Sequence, residues 1–283
     1  MAFLDHAPHR LSENTRPQPD RNQSIVRFIR QNFANERGRE DIIESQPLVR
    51  KLGAFVALSE TELCVLDGLH KRRRTFVSGR DLVLQGQLDH AAYILISGWA
   101  CSYKLLRTGQ RQIIDFQVPG DFLGLRSVVL HISDHSIMPV TKIEVTEVKA
   151  VHLLDAFART PRLATAVLWA ASRDEAMVVE HLVGIGCRDA KVRVAHFLLE
   201  LGARLTLVGM GTKTGFACPL TQYHLADALG LSAVHVNRVL RYLREQGLVT
   251  FRDDYVTFDN YDLLAEFADF ELAYLDQAGP LLP

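Results

Sequence analysis

The stretch that decides the fold is LTQYHLADALGLSAVHVNRVLRYLREQGLVTF, residues 220–251. Thr221 can cap a first helix, Gly230 supplies the turn that ends it, and Ser232 can cap a second helix. Apolar residues recur at three- and four-residue spacing in both segments, so each has one face to bury. The stretch therefore predicts a helix-turn-helix. The predicted inward residues are Leu225, Ala226, Leu229, Val236, Val239, Leu240 and Leu243.

The outer face of the second predicted helix is basic. Arg238, Arg241 and Arg244 are three residues apart and project together, with Glu245 as the nearby acid. Arginines in this arrangement can contact phosphates and read base edges when the helix lies in a DNA major groove. A solvated charged face would explain the arginines alone equally well. The sequence after the helix separates these two interpretations.

Two β-prone runs, residues 246–249 and 255–258, follow the second helix on either side of Asp253 and Asp254. Aspartate tolerates the backbone conformations of tight turns, so the two runs predict a β-hairpin. A hairpin directly behind a helix-turn-helix forms the wing of a winged DNA-binding domain. With the wing included, we expect the segment to bind double-stranded DNA.

These residues resemble the winged helix-turn-helix of the Crp/Fnr superfamily of bacterial transcription regulators. The resemblance extends upstream, where LVLQGQLDHAAYILISGWACSYKLL (residues 82–106) and QVPGDFLGL (residues 117–125) look like that family's cyclic-nucleotide-binding-type β-roll. Residues 161–186 look like its dimerisation helix and residues 188–201 like its hinge into the DNA-binding domain. The resemblance implies a homodimer that binds an inverted-repeat operator, with RNA polymerase as a further partner.

The resemblance also assigns expected DNA contacts. Thr221 would contact the phosphate backbone, and Ser232 and Arg238 would occupy the family's DNA-contact positions. Arg238 is the best candidate for bidentate recognition of a guanine, and Arg241 belongs to the same basic face.

Three positions depart from the family pattern. Val234 stands where well-studied members carry a glutamate that reads a base, and a valine can contact only a thymine methyl group. The family's operator sequence therefore does not carry over. His235 and Asn237 replace the commoner threonine and serine or glycine. For each of them, base contact and packing both stay open.

The expected effector pocket departs further from the family. In cyclic-AMP-binding members the glycine of this motif is followed by a glutamate that binds the ribose, and an arginine farther along binds the cyclic phosphate. Here Gly124 is followed by Leu125, and the arginine position holds His135, with only Ser136 retained. A neutral imidazole does not replace a guanidinium fork on a phosphate. We therefore expect an effector other than cyclic AMP.

The cysteines do not indicate a cofactor. Oxygen-sensing relatives use a tight N-terminal cysteine cluster, whereas this chain has its four cysteines at positions 64, 101, 187 and 218. An iron–sulfur cluster would require these scattered residues to meet. No metal site is predicted, and the sequence requires no cofactor.

Residues 161–186 carry a seam of apolar residues with alternating four- and three-residue spacing, interrupted by Glu175. Such a seam is typical either of ordinary core packing or of a helix that pairs with its twin in a homodimer. The seam residues are Ala164, Leu168, Ala171, Val178, Leu182 and Ile185.

The expected fold class is α+β: an antiparallel, jelly-roll-like β-roll sensor domain, a long dimerisation helix and a C-terminal winged helix-turn-helix. The expected divisions are a polar N-terminal extension (1–46), the β-roll (47–160), the dimerisation helix (161–187), the DNA-binding domain (188–260) and an acidic C-terminal helix or tail (261–283).

Composition is consistent with this organisation. A chain of 283 residues is long for one compact domain, and its net charge of −1 conceals an asymmetry. Eight of the 33 acids and none of the 32 bases lie in residues 253–283, so the rest of the chain is basic. The sequence shows no signal peptide and no stretch apolar enough to span a membrane. We expect a cytoplasmic protein that does not bind membranes.

Two other classes of function are the alternatives to a DNA-binding regulator. A cupin-like, metal-dependent β-barrel enzyme needs histidines and a carboxylate that converge inside the barrel, usually with a His-x-His pair. The β-region contains no such pair, and no catalytic residue is predicted. The second alternative is an effector-binding interaction module without DNA binding.

Overall fold

The computed structural model describes residues 46–69, 72–88 and 90–275, without the side chains of residues 127 and 128. Nearly all of the predicted N-terminal extension, and residues 276–283 of the acidic tail, lie outside the described residues. The described part combines helices with antiparallel sheets, as the α+β prediction requires. Its helices are α1 (Pro47–Gly53), α2 (Glu60–Leu69), α3 (Ala150–Arg159), α4 (Pro161–Cys187), α5 (Ala190–Leu207), α6 (Gln222–Leu229), α7 (Ala233–Glu245) and α8 (Tyr261–Phe267).

The first half of the described chain is a β-roll of two antiparallel sheets. Its strands are β1 (Arg73–Phe76), β2 (Ala92–Ser97), β3 (Ala100–Leu105), β4 (Arg111–Gln117), β5 (Phe122–Leu123), β6 (Ser136–Pro139) and β7 (Ile143–Val148). The strand order is β1-β7-β2-β5 in one sheet and β4-β3-β6 in the other. Side chains from both sheets meet in a buried core that includes Leu95, Ile137 and Val145.

The short β-prone runs at residues 82–84 and 147–153 predict strands in the β-roll, and both predictions are wrong. Residues 82–84 make only an isolated bridge, between Val83 and Ile137, because the chain leaves the core directly afterwards and residues 84–88 are exposed. Residues 147–153 do not form a separate strand, since β7 ends at Val148 and α3 follows. Leu153 and Ala156 are the buried residues of α3, a helical spacing that the short apolar run did not reveal.

Helix α4 begins with Pro161, whose missing N–H is tolerated in the first turn. One side of its N-terminal half packs against α1, where the rings of Phe55 and Trp169 stack with centroids 5.1 Å apart. Leu163 and Ala166 are fully buried in the same cluster. The N-terminal half of α4 therefore belongs to the core of the β-roll unit.

The C-terminal part of the chain is a winged helix-turn-helix supported by α5. Asp189 caps α5 by accepting hydrogen bonds from two backbone N–H groups. A second small sheet has the order β10-β11-β9-β8, and its β10–β11 hairpin is the wing. The four strands are β8 (Gly211–Thr212), β9 (Gly215–Ala217), β10 (Val249–Arg252) and β11 (Tyr255–Phe258).

The helix-turn-helix packs directly on strand β4. Arg111 forms an ion pair of 2.6 Å with Asp227 on α6, and the Gln112 side-chain amide donates to the Ala228 carbonyl at 2.9 Å. Phe116 of β4 shares a buried core with residues of α5, α6 and α7. The β-roll and the helix-turn-helix are thus joined by one continuous core.

Helix α8 and a short 3-10 helix (Leu272–Leu275) close the described chain. Leu264, Phe270 and Leu275 are buried, whereas Leu263 and Leu272 are about half exposed. The start of the predicted acidic tail is therefore packed on the body of the protein. No helix in the ranges 46–69, 72–88 and 90–275 is long and apolar enough to cross a membrane.

Candidate nucleic-acid interface and effector cavity

The two helix caps predicted in the helix-turn-helix are confirmed. The Thr221 hydroxyl accepts from the His224 backbone N–H at 3.3 Å, and the His224 imidazole accepts from the Thr221 N–H at 3.1 Å, which completes a capping box. The Ser232 hydroxyl accepts from the His235 N–H at 3.2 Å. Between the helices Gly230 has a φ of +63°, a left-handed conformation that favours glycine.

Helix α7 buries one face and exposes the other. Val236, Val239 and Leu243 are buried as predicted, whereas Leu240 is only half-buried. The sequence-predicted contact residues of α7 all lie on exposed positions, and Thr221 and Ser232 are exposed at the starts of α6 and α7. The exposed α7 residues are Val234, His235, Asn237, Arg238 and Arg241.

The arginines of the exposed α7 face are not engaged by the protein itself. In the part of the chain that the structure describes, neither Arg238 nor Arg241 has a side-chain hydrogen bond or an ion pair. Val234 is 71% exposed, an unfavourable position for a valine that has no partner. The face therefore offers two free guanidinium groups and one apolar side chain to a molecule outside the chain.

The wing hairpin has a tight turn. Asp253 and Asp254 have φ values of +52° and +54°, which is typical of a type I′ turn. The Asp254 carbonyl accepts from the Cys218 N–H at 2.8 Å, and this hydrogen bond ties the turn to the segment before α6. The hairpin predicted from the two β-prone runs is confirmed.

The predicted seam of α4 lies largely on the surface of the single chain. Leu168 and Leu182 are 67% and 69% exposed, and Val178 and Ile185 are also exposed. Burying this apolar surface against a second helix would be favourable. The seam is therefore not ordinary core of the single chain.

A cavity of about 740 Å³ lies between the β-roll and α4. Three of the four predicted pocket residues line it, namely Gly124, Leu125 and His135. Ser136 does not, because its hydroxyl turns towards the loop after β1 and accepts from the Gln85 N–H at 3.0 Å. His135 bonds through Nδ1 to Asp134 at 2.8 Å, and Asp134 also pairs with Arg126 at 2.9 Å.

A network of buried charges lies behind the cavity. Arg204 of α5 pairs with Asp115 at 2.8 Å and with Asp121 at 2.9 Å, and Lys51 of α1 pairs with Asp121 at 2.7 Å. Burial opposes the charge of Asp121, but the two cations outweigh that effect and lower its pKa to about 2. The network connects α1, the turn after β4 and the helix that carries the DNA-binding domain.

A second buried pair extends the network along α4. His181 Nε2 lies 2.9 Å from the Glu200 carboxylate, and Nδ1 lies 3.3 Å from the Ile114 carbonyl. Both ring nitrogens thus face acceptors, as a charged imidazolium requires. Burial opposes that charge, but Glu200 outweighs it and raises the pKa of His181 to about 9. Glu200 also accepts from the Tyr274 hydroxyl at 2.8 Å.

The four cysteines do not form a ligand set. None is in a disulfide; Cys64 and Cys187 are exposed, and Cys101 and Cys218 are fully buried. Burial raises the pKa of Cys101 and of Cys218 to about 12, so both are protonated thiols at neutral pH. Among the described residues, no three His, Cys, Asp or Glu side chains come together to hold a metal ion.

Comparison with known proteins agrees with this architecture. A model of the cyclic nucleotide-binding domain matches residues 73–160, and a model of the Crp-like helix-turn-helix domain matches residues 192–267. The two matches cover more than half of the chain and have the order seen in the fold. The chain belongs to the Crp/Fnr family of bacterial transcription regulators. The resemblance seen in the sequence is thereby confirmed.

Relatives of this Crp/Fnr regulator cover most of its described length. The nitrogen fixation regulation protein FixK of Rhizobium meliloti (strain 1021) is 30% identical over 63% of this chain and 78% of that protein. The fumarate and nitrate reduction regulatory protein of Escherichia coli (strain K12) is 24% identical over 75% of this chain and 84% of that protein. The solved structure of FixK2 from Bradyrhizobium japonicum has a TM-score of 0.62 and 25% identity, and the match covers 69% of this chain and 96% of that one.

Sequence patterns did not identify several residues of this Crp/Fnr regulator's DNA-binding face and of its cavity. Tyr223 is 73% exposed on the first turn of α6, beside the predicted phosphate contact Thr221. Asp115 and Gln117 of β4 and Asp174 of α4 line the cavity, but no sequence pattern links the two elements. The one feature of the sequence that indicated a polar cavity wall was Glu175, the acid that interrupts the apolar seam of α4.

Proposed function

We propose that this Crp/Fnr regulator binds an inverted-repeat DNA operator as a homodimer, with α7 of each subunit in the major groove. The observation that carries the proposal is the exposed face of α7, where Arg238 and Arg241 have no partner in the described chain. An unpaired guanidinium on a capped, rigid helix is suited to bidentate contact with guanine. The family to which the chain belongs supports the same conclusion.

The proposed contacts fall into two groups. Thr221 and Ser232 stand at helix N-termini, where hydroxyl and backbone N–H groups can bind phosphate and fix the register of the domain. Arg238 would read a guanine, and Arg241 would contact phosphate. Val234 would contact a thymine methyl group, because it has no polar atom to offer a base.

Dimerisation would use the exposed seam of α4. Leu168, Val178, Leu182 and Ile185 present apolar surface on successive turns of one helix. A two-fold axis along two such helices would bury that surface and place the two α7 helices on the same side of the dimer. The operator should therefore have half-sites roughly 34 Å apart.

We infer that the effector, if the regulator has one, is neither cyclic AMP nor an iron–sulfur cluster. Leu125 and His135 line the cavity at the positions where a ribose-binding carboxylate and a phosphate-binding guanidinium would be needed. Cys101 and Cys218 are buried thiols in separate elements. RNA polymerase is proposed as a partner from family membership alone.

The proposal is tested by selecting bound sequences from a random duplex pool with the full-length protein at near-physiological salt, because low salt inflates nonspecific binding. We expect enrichment of an inverted repeat whose half-sites are one helical turn apart. Enrichment of a single unrepeated site would contradict the dimeric arrangement. A pool that stays unenriched would contradict specific DNA binding itself.

A further inference from the structure

The cavity between the β-roll and α4 has an apolar floor. Leu125, Phe157 and Val167 contribute to it, and they come from the β-roll, α3 and α4. A volume of about 740 Å³ is within the range of pockets that hold small organic ligands. The floor therefore suits the apolar body of a small molecule. The polar groups on the walls determine which charge and which hydrogen-bonding groups that molecule carries.

The polar wall of the cavity is rich in carboxylates. Asp115 and Asp121 are held by Arg204 and Lys51 at 2.7 to 2.9 Å. Asp174 also lines the cavity but lies 3.5 Å from the same Lys51 ammonium, which is already engaged with Asp121. Burial raises the pKa of Asp174; the charge of Lys51 opposes this effect, and the neighbouring Asp121 and Asp115 add to it.

Glu175, the exposed residue that interrupts the seam of α4, adds a fourth carboxylate to this wall. In the residues that the structure describes it has no side-chain hydrogen bond or ion pair. The one arginine among the lining residues, Arg126, is 61% exposed and already paired with Asp134 at 2.9 Å. His135 bonds to the same Asp134. Glu175 is therefore left without an ion pair, and Asp174 shares its ion pair, the 3.5 Å contact with Lys51, with Asp121.

Gln117 supplies an independent sign that a donor belongs in the cavity. It lines the cavity and is only 7% exposed, and its Oε1 has no hydrogen-bond partner among the described residues. Exchanging the oxygen and nitrogen of the amide does not solve this, because Nε2 lies 3.3 Å from the Asp115 carboxylate, which can only accept hydrogen bonds. A buried carbonyl oxygen without a donor is costly, so the site favours a ligand that carries an N–H group.

We propose that the cavity binds a small amphipathic cation, with an apolar body on the floor and an ammonium or similar charged N–H group at Asp174, Glu175 and Gln117. This inference rests on the proposed function, in which such a molecule would be the regulator's effector. A cyclic nucleotide is disfavoured on the same wall, because its phosphate would face two carboxylates. A primary amine satisfies both the charge and the missing donor.

The test is a calorimetric titration of the full-length protein at neutral pH with three probes that share one apolar body: phenylbutylamine, phenylbutanol and phenylbutyrate. We expect the amine to bind at least about tenfold more tightly than the alcohol, as one charge-assisted hydrogen bond predicts, and the carboxylate to bind most weakly. Equal binding of amine and alcohol, or tighter binding of the carboxylate, would overturn the proposal.

Variants locate the charge recognition. Asp174→Asn combined with Glu175→Gln keeps the shape of both side chains, and it should reduce amine binding to the level of the alcohol while alcohol binding stays unchanged. Glu144→Gln is the matched control, since Glu144 pairs with Arg73 at the surface and does not line the cavity. An amine preference that survives the double substitution would overturn the proposal. Equal thermal unfolding of the three proteins verifies that folding is intact.

The titration and the operator selection separate two kinds of failure. If the protein selects an inverted repeat but shows no amine preference, the ligand class is wrong and the proposed function stands. If the protein prefers the amine through Asp174 and Glu175 but selects no DNA sequence either with or without the amine bound, the proposed function is wrong and the cavity assignment stands.

Discussion

The recognition helix α7 and the buried junction around α5 use arginine in opposite ways. Arg238 and Arg241 are exposed on α7 and unpaired within the described residues. Arg204 on α5 is 3% exposed and donates to two aspartates and to the Phe116 carbonyl. The α7 arginines therefore keep their hydrogen-bond donors for a partner outside the chain. Arg204 uses its donors within the chain, where they hold the sensor unit on the DNA-binding unit.

The difference has a physical basis in desolvation. An exposed guanidinium stays hydrated at little cost, so it can remain unpaired until a nucleic acid replaces the water. A buried guanidinium must be paired, and removing it leaves the partner carboxylates as uncompensated buried charges. The two regions therefore predict opposite outcomes of substitution: lost binding at α7 and lost stability at α5.

The largest expected effect is at the buried junction. Arg204→Ala should reduce the free energy of unfolding by about 3–5 kcal/mol, because Asp115 and Asp121 lose their shared cation. Arg159→Ala is the control, since Arg159 pairs with Asp155 on the surface of α3 and should contribute less than about 1 kcal/mol. Urea unfolding of both variants measures the difference. Equal losses would mean that the buried network does not stabilise the junction.

The second effect concerns the α4 seam. Leu182→Glu should weaken dimerisation by at least about 3 kcal/mol, because each dimer loses the burial of two leucines and gains two charges. Val77→Glu changes a similarly exposed valine after β1, outside the seam, and should leave the dimer intact. Sedimentation equilibrium measures both. A dimer that tolerates Leu182→Glu would move the interface away from this face.

The third effect distinguishes the roles of Arg238 and Arg241 on α7. Arg238→Ala should cost about 1–3 kcal/mol of binding to the selected operator and little on random DNA, because a base contact is lost. Arg241→Ala should weaken both equally and reduce the salt slope of binding by about one, as expected for a phosphate contact. Competition titrations at several salt concentrations distinguish the two. The assigned roles are wrong if Arg238→Ala lowers specific and nonspecific affinity alike.

The remaining effect is a pH dependence of stability. The pKa of His181 is about 9 in the folded chain and near its ordinary 6.5 when unfolded, so the folded state holds an extra proton between these values. Its contribution to stability is complete below about pH 6.5 and is lost as the pH rises through 9. The wild-type protein should therefore lose stability relative to His181→Gln across this window. His152→Gln, at an exposed position of α3, should follow the wild type. Parallel curves of unfolding free energy against pH for the wild type and His181→Gln would exclude a charged His181.

Much of the DNA-binding unit could be predicted because its determinants are contiguous. Caps at Thr221 and Ser232, the turn at Gly230 and the apolar spacing all lie within residues 220–251, and each acts on its own helix. Interactions between residues close in the sequence are therefore sufficient to predict this part of the fold. The exposed arginines could be predicted for the same reason, since helical periodicity alone places them on one face.

The buried junction and the cavity could not be predicted in this way. Arg204 and Asp115 are 89 residues apart, and the cavity wall draws on residues from Ser102 to Val179. Their contacts depend on how β4, α4 and α5 pack, which no local pattern encodes. The strand error at residues 147–153 has a related cause, because a short apolar run fits either a strand or the first turn of a helix.

The most direct measurement of the central claim is the affinity of the full-length protein for its selected operator and for the same operator with five base pairs inserted at its centre. Five base pairs add about half a helical turn, which moves one half-site to the opposite side of the duplex. The account predicts that binding falls to the level of a single half-site, because two α7 helices on one two-fold axis cannot reach both. Unchanged affinity would contradict a homodimer that reads two successive major grooves.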